Sequence, residues 1–158
     1  MSDAHLSVTY NRFCIGFSER HTVIVGLGLD VAEIDRIEAA IKRHPAAFIE
    51  RIYTPAEAAY CQRYANPYER YAGRFAVKEA AMKALGTGWT RGVRWRDIEV
   101  VREPSGKPTL RLEGAARAIA DGLGVKHIAV TITHSGNLAI AQVIFEDGEN
   151  FRADFSGS

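Results

Sequence analysis

Hydrophobic positions change their period several times along the chain, and the changes mark its elements. Val23, Ile24, Val25, Leu27 and Leu29 form a short apolar run from Thr22 onward, broken only by Gly26 and Gly28. This predicts a buried strand whose backbone comes close to a neighbour at the glycines. From Ile34 the period lengthens. Ile34, Ile37 and Ile41 share one helical face, and Asp30-x-x-Glu33 ahead of them has the form of a capping box. Pro45 divides this helix from a shorter one over 46–52. Thr54-Pro55-Ala56-Glu57 supplies an N-cap, a first-turn proline and a first-turn carboxylate for a third helix, which reaches about Tyr64 and stops at Asn66-Pro67. The longest helix is predicted from Tyr68 to Leu85, closed by Gly86, with Tyr71, Phe75 and Met82 on one apolar stripe and Glu79 on its flank.

Beyond it, 86–96 reads as a loop rich in Gly, Arg and Trp. Alternation then takes over. Ile98 and Val100, followed by Leu110 and Leu112, form two strands around the turn Pro104-Ser105-Gly106-Lys107-Pro108. A short helix spans Ala115 to Leu123. Two more strands, Ile128–Thr133 and Leu138–Phe145, flank a tight connection at His134-Ser135-Gly136-Asn137. A block of helices followed by strands with one helix between them defines an α+β class. The expected organisation is an N-terminal extension over 1–21, a single domain over 22–146 and a polar C-terminal tail over 147–158.

Composition narrows the function classes. With 47% apolar and 25% charged residues in 158, the chain can build one core, which excludes disordered, collagen-like and coiled-coil readings. Lys plus Arg number 20 and Asp plus Glu 19, so a net charge of +1 gives no reason to expect nucleic acid or a membrane surface as partner. Cys14 and Cys61 form no C-x-x-C pair, as expected of free thiols in a reducing cytosol. Neither a secretory leader nor a run of ~18 apolar residues occurs, so a cytoplasmic protein is expected.

Three places carry candidate chemistry. Gly26-Leu27-Gly28 begins like a dinucleotide fingerprint, but the third glycine position holds Val31. What remains is a carboxylate, Asp30, at a strand end, suited either to capping the next helix or to holding a divalent metal. On the long helix, Glu79 and Lys83 stand four apart. They suit either a surface ion pair or a metal-and-polyphosphate site, with the further cations Arg74 and Lys78 on the same helix and open glycine backbone from Gly86. His134 and Ser135, at a predicted hairpin tip, are either solvated or present an imidazole and a hydroxyl to an anion. Arg36 and Arg43, with Lys42 and Arg51, form either an ordinary solvated face or a surface for an acidic protein.

Three segments occur in one order: Gly26-Leu27-Gly28-Leu29-Asp30-Val31-Ala32-Glu33-Ile34-Asp35-Arg36-Ile37, then Arg74-Phe75-Ala76-Val77-Lys78-Glu79-Ala80-Ala81-Met82-Lys83-Ala84-Leu85-Gly86-Thr87-Gly88, then Thr131-Ile132-Thr133-His134-Ser135. Together they resemble the holo-[acyl-carrier-protein] synthases, the compact homotrimeric type within the 4′-phosphopantetheinyl transferase superfamily, from about Val23 to Phe145. The resemblance implies a long helix packed on a mainly antiparallel sheet. It also implies transfer of 4′-phosphopantetheine from coenzyme A to a serine of apo acyl carrier protein, releasing 3′,5′-ADP. On that resemblance, Asp30 and Glu79 match Mg²⁺ ligands, and Asp30, Glu79 and Lys83 form the catalytic set. Arg74, Lys78, Lys83, Gly86, His134 and Ser135 contact coenzyme A, and Arg36 and Arg43 face the carrier protein. The general base stays open between a metal-coordinated water and Glu79. Sites at subunit interfaces are implied, with His134 serving a neighbouring subunit. The competing readings are modification of polyketide- or peptide-synthetase carrier domains, and a non-enzymatic module that binds coenzyme A or a nucleotide.

Overall fold

Two glycines set the distance between the main strand and the main helix. The computed structural model describes residues 23–88 and 92–148. In it strand β1 (Ile24–Glu33) crosses helix α4 (Pro67–Ala84) so closely that a Cβ on Gly28 would lie 1.8 Å from the Ala80 carbonyl oxygen. One on Gly26 would lie 2.4 Å from that of Ala84. No side chain fits there, as the glycine-broken apolar run predicted. The expected extension over 1–21 lies outside the described residues, as does nearly all of the C-terminal tail and part of the loop, 89–91.

Between β1 and α4 come α1 (Ile34–Arg43), α2 (Pro45–Ile52) and α3 (Pro55–Cys61). A 3-10 turn (Trp95–Asp97) then leads into the hairpin β2 (Ile98–Arg102) and β3 (Pro108–Leu112), followed by α5 (Gly114–Gly122), β4 (His127–Ser135) and β5 (Leu138–Glu146). β5 lies between β1 and β4, antiparallel to both, with Asp30 opposite Ala141 and His134 opposite Ala139. α4 packs on the inner face of this sheet, which β5 supplies with Ala139, Ala141, Val143 and Phe145, all buried. None of the described helices is long and apolar enough to cross a membrane.

Four expectations change. α4 is not an amphipathic helix with one apolar stripe: Ala72, Ala76, Val77, Ala80, Ala81 and Met82 are fully buried, because the sheet covers one side and α1, α3 and β2 cover others. β1 is not buried on both faces. Leu27, Leu29 and Val31 alternate with the inward residues and stay 56%, 54% and 49% exposed on the outer face of the sheet.

The Asp30 capping box does not form either, since β1 continues through Glu33. The first N–H groups of α1 are capped across the fold instead: Ile34 N–H donates to the Asn137 carbonyl (2.8 Å) and Asp35 N–H to its Oδ1 (3.0 Å). Lastly, His134 and Ser135 are not at a hairpin tip. They remain in β4, paired with Ala139 and Leu138, and the turn is Gly136-Asn137 alone.

The Thr54–Glu57 capping box does form, with Glu57 N–H donating to Thr54 Oγ1 and Thr54 N–H to Glu57 Oε2. Its glutamate has a further role. Glu57 is buried, accepts the Val100 N–H at 3.0 Å and pairs with Lys78 Nζ at 2.9 Å, tying α3, α4 and β2 together.

Candidate active site

The site begins where β1 meets α4. The close glycine contact holds the end of β1 against the helix, and Asp30 is the first inward residue beyond it with a side chain. On α4, Phe75, Glu79 and Lys83 recur every four residues, so they share one face of an otherwise buried helix. These residues and Asp30 line a cleft of about 610 Å³, closed by Glu33 at the end of β1, by Arg36 and Ile37 of α1 and by Phe48 of α2. Its lining mixes charged and apolar side chains.

Lys83 Nζ donates to Asp30 Oδ1 at 2.7 Å and to the Leu29 carbonyl at 3.0 Å. The predicted Glu79–Lys83 pair is therefore replaced by one between elements, because Asp30 comes within reach of the lysine. Half of the Lys83 side chain remains exposed, leaving a third donor for a ligand in the cleft. Glu79 makes no ion pair with any described residue. Burial pushes its carboxyl pKa above the usual 4.5 and the Asp30 charge pushes it further, while Lys83 opposes both. Two coupled carboxylates, one of them reluctant to ionise, suit a hard divalent cation, which would relieve the repulsion. Mg²⁺ takes one or two carboxylates and completes its shell with water and substrate phosphate. The described residues contain no cluster of three or more His, Cys, Asp or Glu side chains able to hold a metal ion.

Past the helix, Gly86 turns with φ +69° and nothing stands within 4 Å of where a Cβ would be, so the backbone is open to a ligand.

The other predicted contacts do not gather here. Lys78 corrects the sequence reading outright. It is fully buried and its three donors are spent on Glu57, the Trp95 carbonyl (3.0 Å) and the Ile98 carbonyl, so it holds no phosphate. Burial lowers its pKa, and Glu57 opposes that shift. Arg74 and His134 line a second hollow of about 140 Å³ with Arg70, Gly73 and Arg102. Arg74 is buried with its guanidinium 3.9 Å from the Tyr60 ring centre, and its Nε lacks a hydrogen-bond partner, as does that of Arg70. His134 Nε2 lies 3.1 Å from the Glu69 carbonyl oxygen. The two cavities share no lining residue. Ser135 is exposed and lines neither. Arg36 lines the first cleft, whereas Arg43, two turns along the same face of α1, points to solvent beyond it.

Sequence reasoning missed Phe48, Arg70 and Arg102. Helical periodicity places a residue on a face but is silent on what packs opposite it.

Residues 26–143 fit the family model of the 4′-phosphopantetheinyl transferase superfamily, and the chain belongs to that superfamily. Within it, the chain is similar to the holo-[acyl-carrier-protein] synthase of Solibacter usitatus, 58% identical over 125 residues, covering 79% of this chain and 100% of the relative. The corresponding protein of Koribacter versatilis is 50% identical over the same coverage. Among solved structures, the holo-[acyl-carrier-protein] synthase of Helicobacter pylori in complex with coenzyme A matches with a TM-score of 0.67 at 31% identity, covering 75% of this chain and 98% of that one.

Proposed function

We propose that the chain transfers the 4′-phosphopantetheine group of coenzyme A to a serine hydroxyl of apo acyl carrier protein, releasing 3′,5′-ADP. The observation that carries this reading is the meeting of Asp30, Glu79 and Lys83 at the β1–α4 crossing, in a cleft that Ile37, Phe48 and Phe75 also line. In the transfer, the serine oxygen forms a bond to the phosphorus bearing the pantetheine arm while the diphosphate P–O bond breaks. The hydroxyl proton leaves, and the electron pair departs with the nucleotide. Asp30 and Glu79 would hold Mg²⁺, which when bound neutralises charge on the diphosphate. Lys83 keeps one donor free for a phosphate oxygen while its bonds to Asp30 and Leu29 fix its position. The serine proton would pass either to Glu79, which lines the same cleft, or to a water there.

Arg74 and His134, with Arg70, form a cationic hollow suited to the remaining phosphate of coenzyme A. Since they lie apart from the carboxylates, the reading includes self-association as a homotrimer in which one subunit's arginine–histidine hollow completes its neighbour's cleft. Support comes from the outer face of the sheet, where Leu27, Leu29 and Val31 form an apolar surface of the kind that marks subunit contacts. Arg36, at the rim of the cleft, and Arg43 on the same helix face would meet the acidic carrier. A cytoplasmic site of action fits Cys61, a buried free thiol whose pKa burial pushes up to about 11.

The test is incubation of the purified protein with apo acyl carrier protein, coenzyme A and Mg²⁺, followed by intact-mass measurement. The carrier gains one phosphopantetheine, and Asp30→Ala or Glu79→Ala protein with an unchanged circular dichroism spectrum fails to add it. A carrier whose mass never changes with the unsubstituted protein overturns the reading.

A further inference from the structure

A second cationic hollow, of about 450 Å³, lies between α2 and the 3-10 turn. Arg51, Arg94 and Arg96 surround it, with Trp95 at its base and Asp97 beside it. All three arginines are exposed, and none makes an ion pair with a described residue. The Asp97 carboxylate accepts the Arg94 backbone N–H at 3.0 Å, so it holds the turn together rather than neutralising the guanidinium groups. Three like charges around one depression repel one another, and in a chain of net charge +1 they are a local feature rather than part of a general excess.

The hollow lies beside the cleft. Trp95 is buried and packs on Phe75 with ring centres 4.9 Å apart, and Phe75 lines the Asp30–Glu79 cleft. Phe48, which lines the same cleft, precedes Arg51 by three residues on α2. A macromolecule that inserts a serine into the cleft meets Arg36 in its lining and has the hollow beside it across the Phe75–Trp95 contact. Exposed guanidinium groups are suited to carboxylates of a protein partner, which they grip bidentately and attract over a distance.

We propose that Arg51, Arg94 and Arg96 form a second docking contact for the acidic carrier protein, beside the cleft. This rests on the transfer reaction proposed above, in which the carrier is the macromolecular substrate. Contacts at both places hold the acceptor serine over the diphosphate.

Steady-state kinetics of the full chain carrying Arg94→Gln and Arg96→Gln, with apo carrier and coenzyme A varied separately, test the proposal. The KM for carrier rises about tenfold while that for coenzyme A stays unchanged, added salt raises the carrier KM less steeply than for the unsubstituted protein, and the Arg94→Lys, Arg96→Lys variant recovers most of the loss. An unchanged carrier KM, or a parallel rise of both KM values, overturns it. Calorimetric titration of apo carrier without coenzyme A separates docking from chemistry. If the unsubstituted protein modifies no carrier, the transfer reading fails. Weaker carrier binding by the double variant then still supports the docking contact, and equal binding removes it.

Discussion

Glu79 stands half out of water and opposite the charge of Asp30, so its ionised form is disfavoured until a cation joins the pair. Its pKa in the folded protein lies above 4.5, its value in an unfolded chain. The folded state therefore binds the extra proton, and the stability that this contributes is present below pH 4.5 and lost as pH rises through the folded value. Replacing Glu79 with Gln removes that loss. Thermal unfolding of metal-free protein between pH 4 and pH 8 should show Glu79→Gln matching the parent at the acid end and melting higher at neutral pH, while phosphopantetheine transfer falls by about a hundredfold or more. A Glu79→Gln protein that melts lower at neutral pH would contradict the electrostatic description. At this scale the sequence was partly legible. The chemistry of Asp30, Glu79 and Lys83 was readable from residue type, but their pairing was not. The i,i+4 rule favoured Glu79 with Lys83, and only the approach of β1 brings Asp30 closer.

Elements carry the site through two devices of different visibility. The glycines of β1 announced a close backbone approach, and their positions relative to Ala80 and Ala84 confirm it. Lys78 was misread because it sits in a motif full of phosphate-compatible residues. One step along α4 from Glu79 turns it by ~100° into the interior, where Glu57 and two carbonyls wait. Removing one member of a buried ion pair strands the other. Glu57→Gln or Lys78→Met alone should cost about 3–5 kcal/mol in urea unfolding, and Glu57→Gln combined with Lys78→Met should cost less than the sum of the two. A double-variant cost equal to the sum of the single costs would mean that the pair does not act as a unit. Neither residue lines the cleft, so the loss should appear in stability before it appears in KM. The His134 position had a similar cause: hairpin length was read from turn-forming residues, yet β4 pairs through Ser135 and leaves only Gly136-Asn137 to turn.

For the whole molecule, fold class and the order of elements followed from periodicity and punctuation, because each helix and strand carries its own cap, break or alternation. What periodicity cannot supply is the far side of each surface. Leu27 and Leu29 read as core, and with Val31 they stand exposed because no other described layer of the chain covers the outer sheet face. The same limit applies to the site, whose carboxylates and arginine–histidine hollow occupy separate cavities.

In the proposed reaction these two cavities act together across a boundary between subunits, and a mixture of two variants puts that to the test. Glu79→Gln and Arg74→Ala proteins, each inactive alone, are combined, exchanged by mild unfolding and refolding, and assayed for transfer of phosphopantetheine to apo carrier. Random assembly pairs an intact carboxylate cleft with an intact arginine hollow at about one quarter of interfaces, so roughly that share of the parent activity should return. Activity that stays at the level of the separate variants, although the mixture forms mixed oligomers, would contradict the claim.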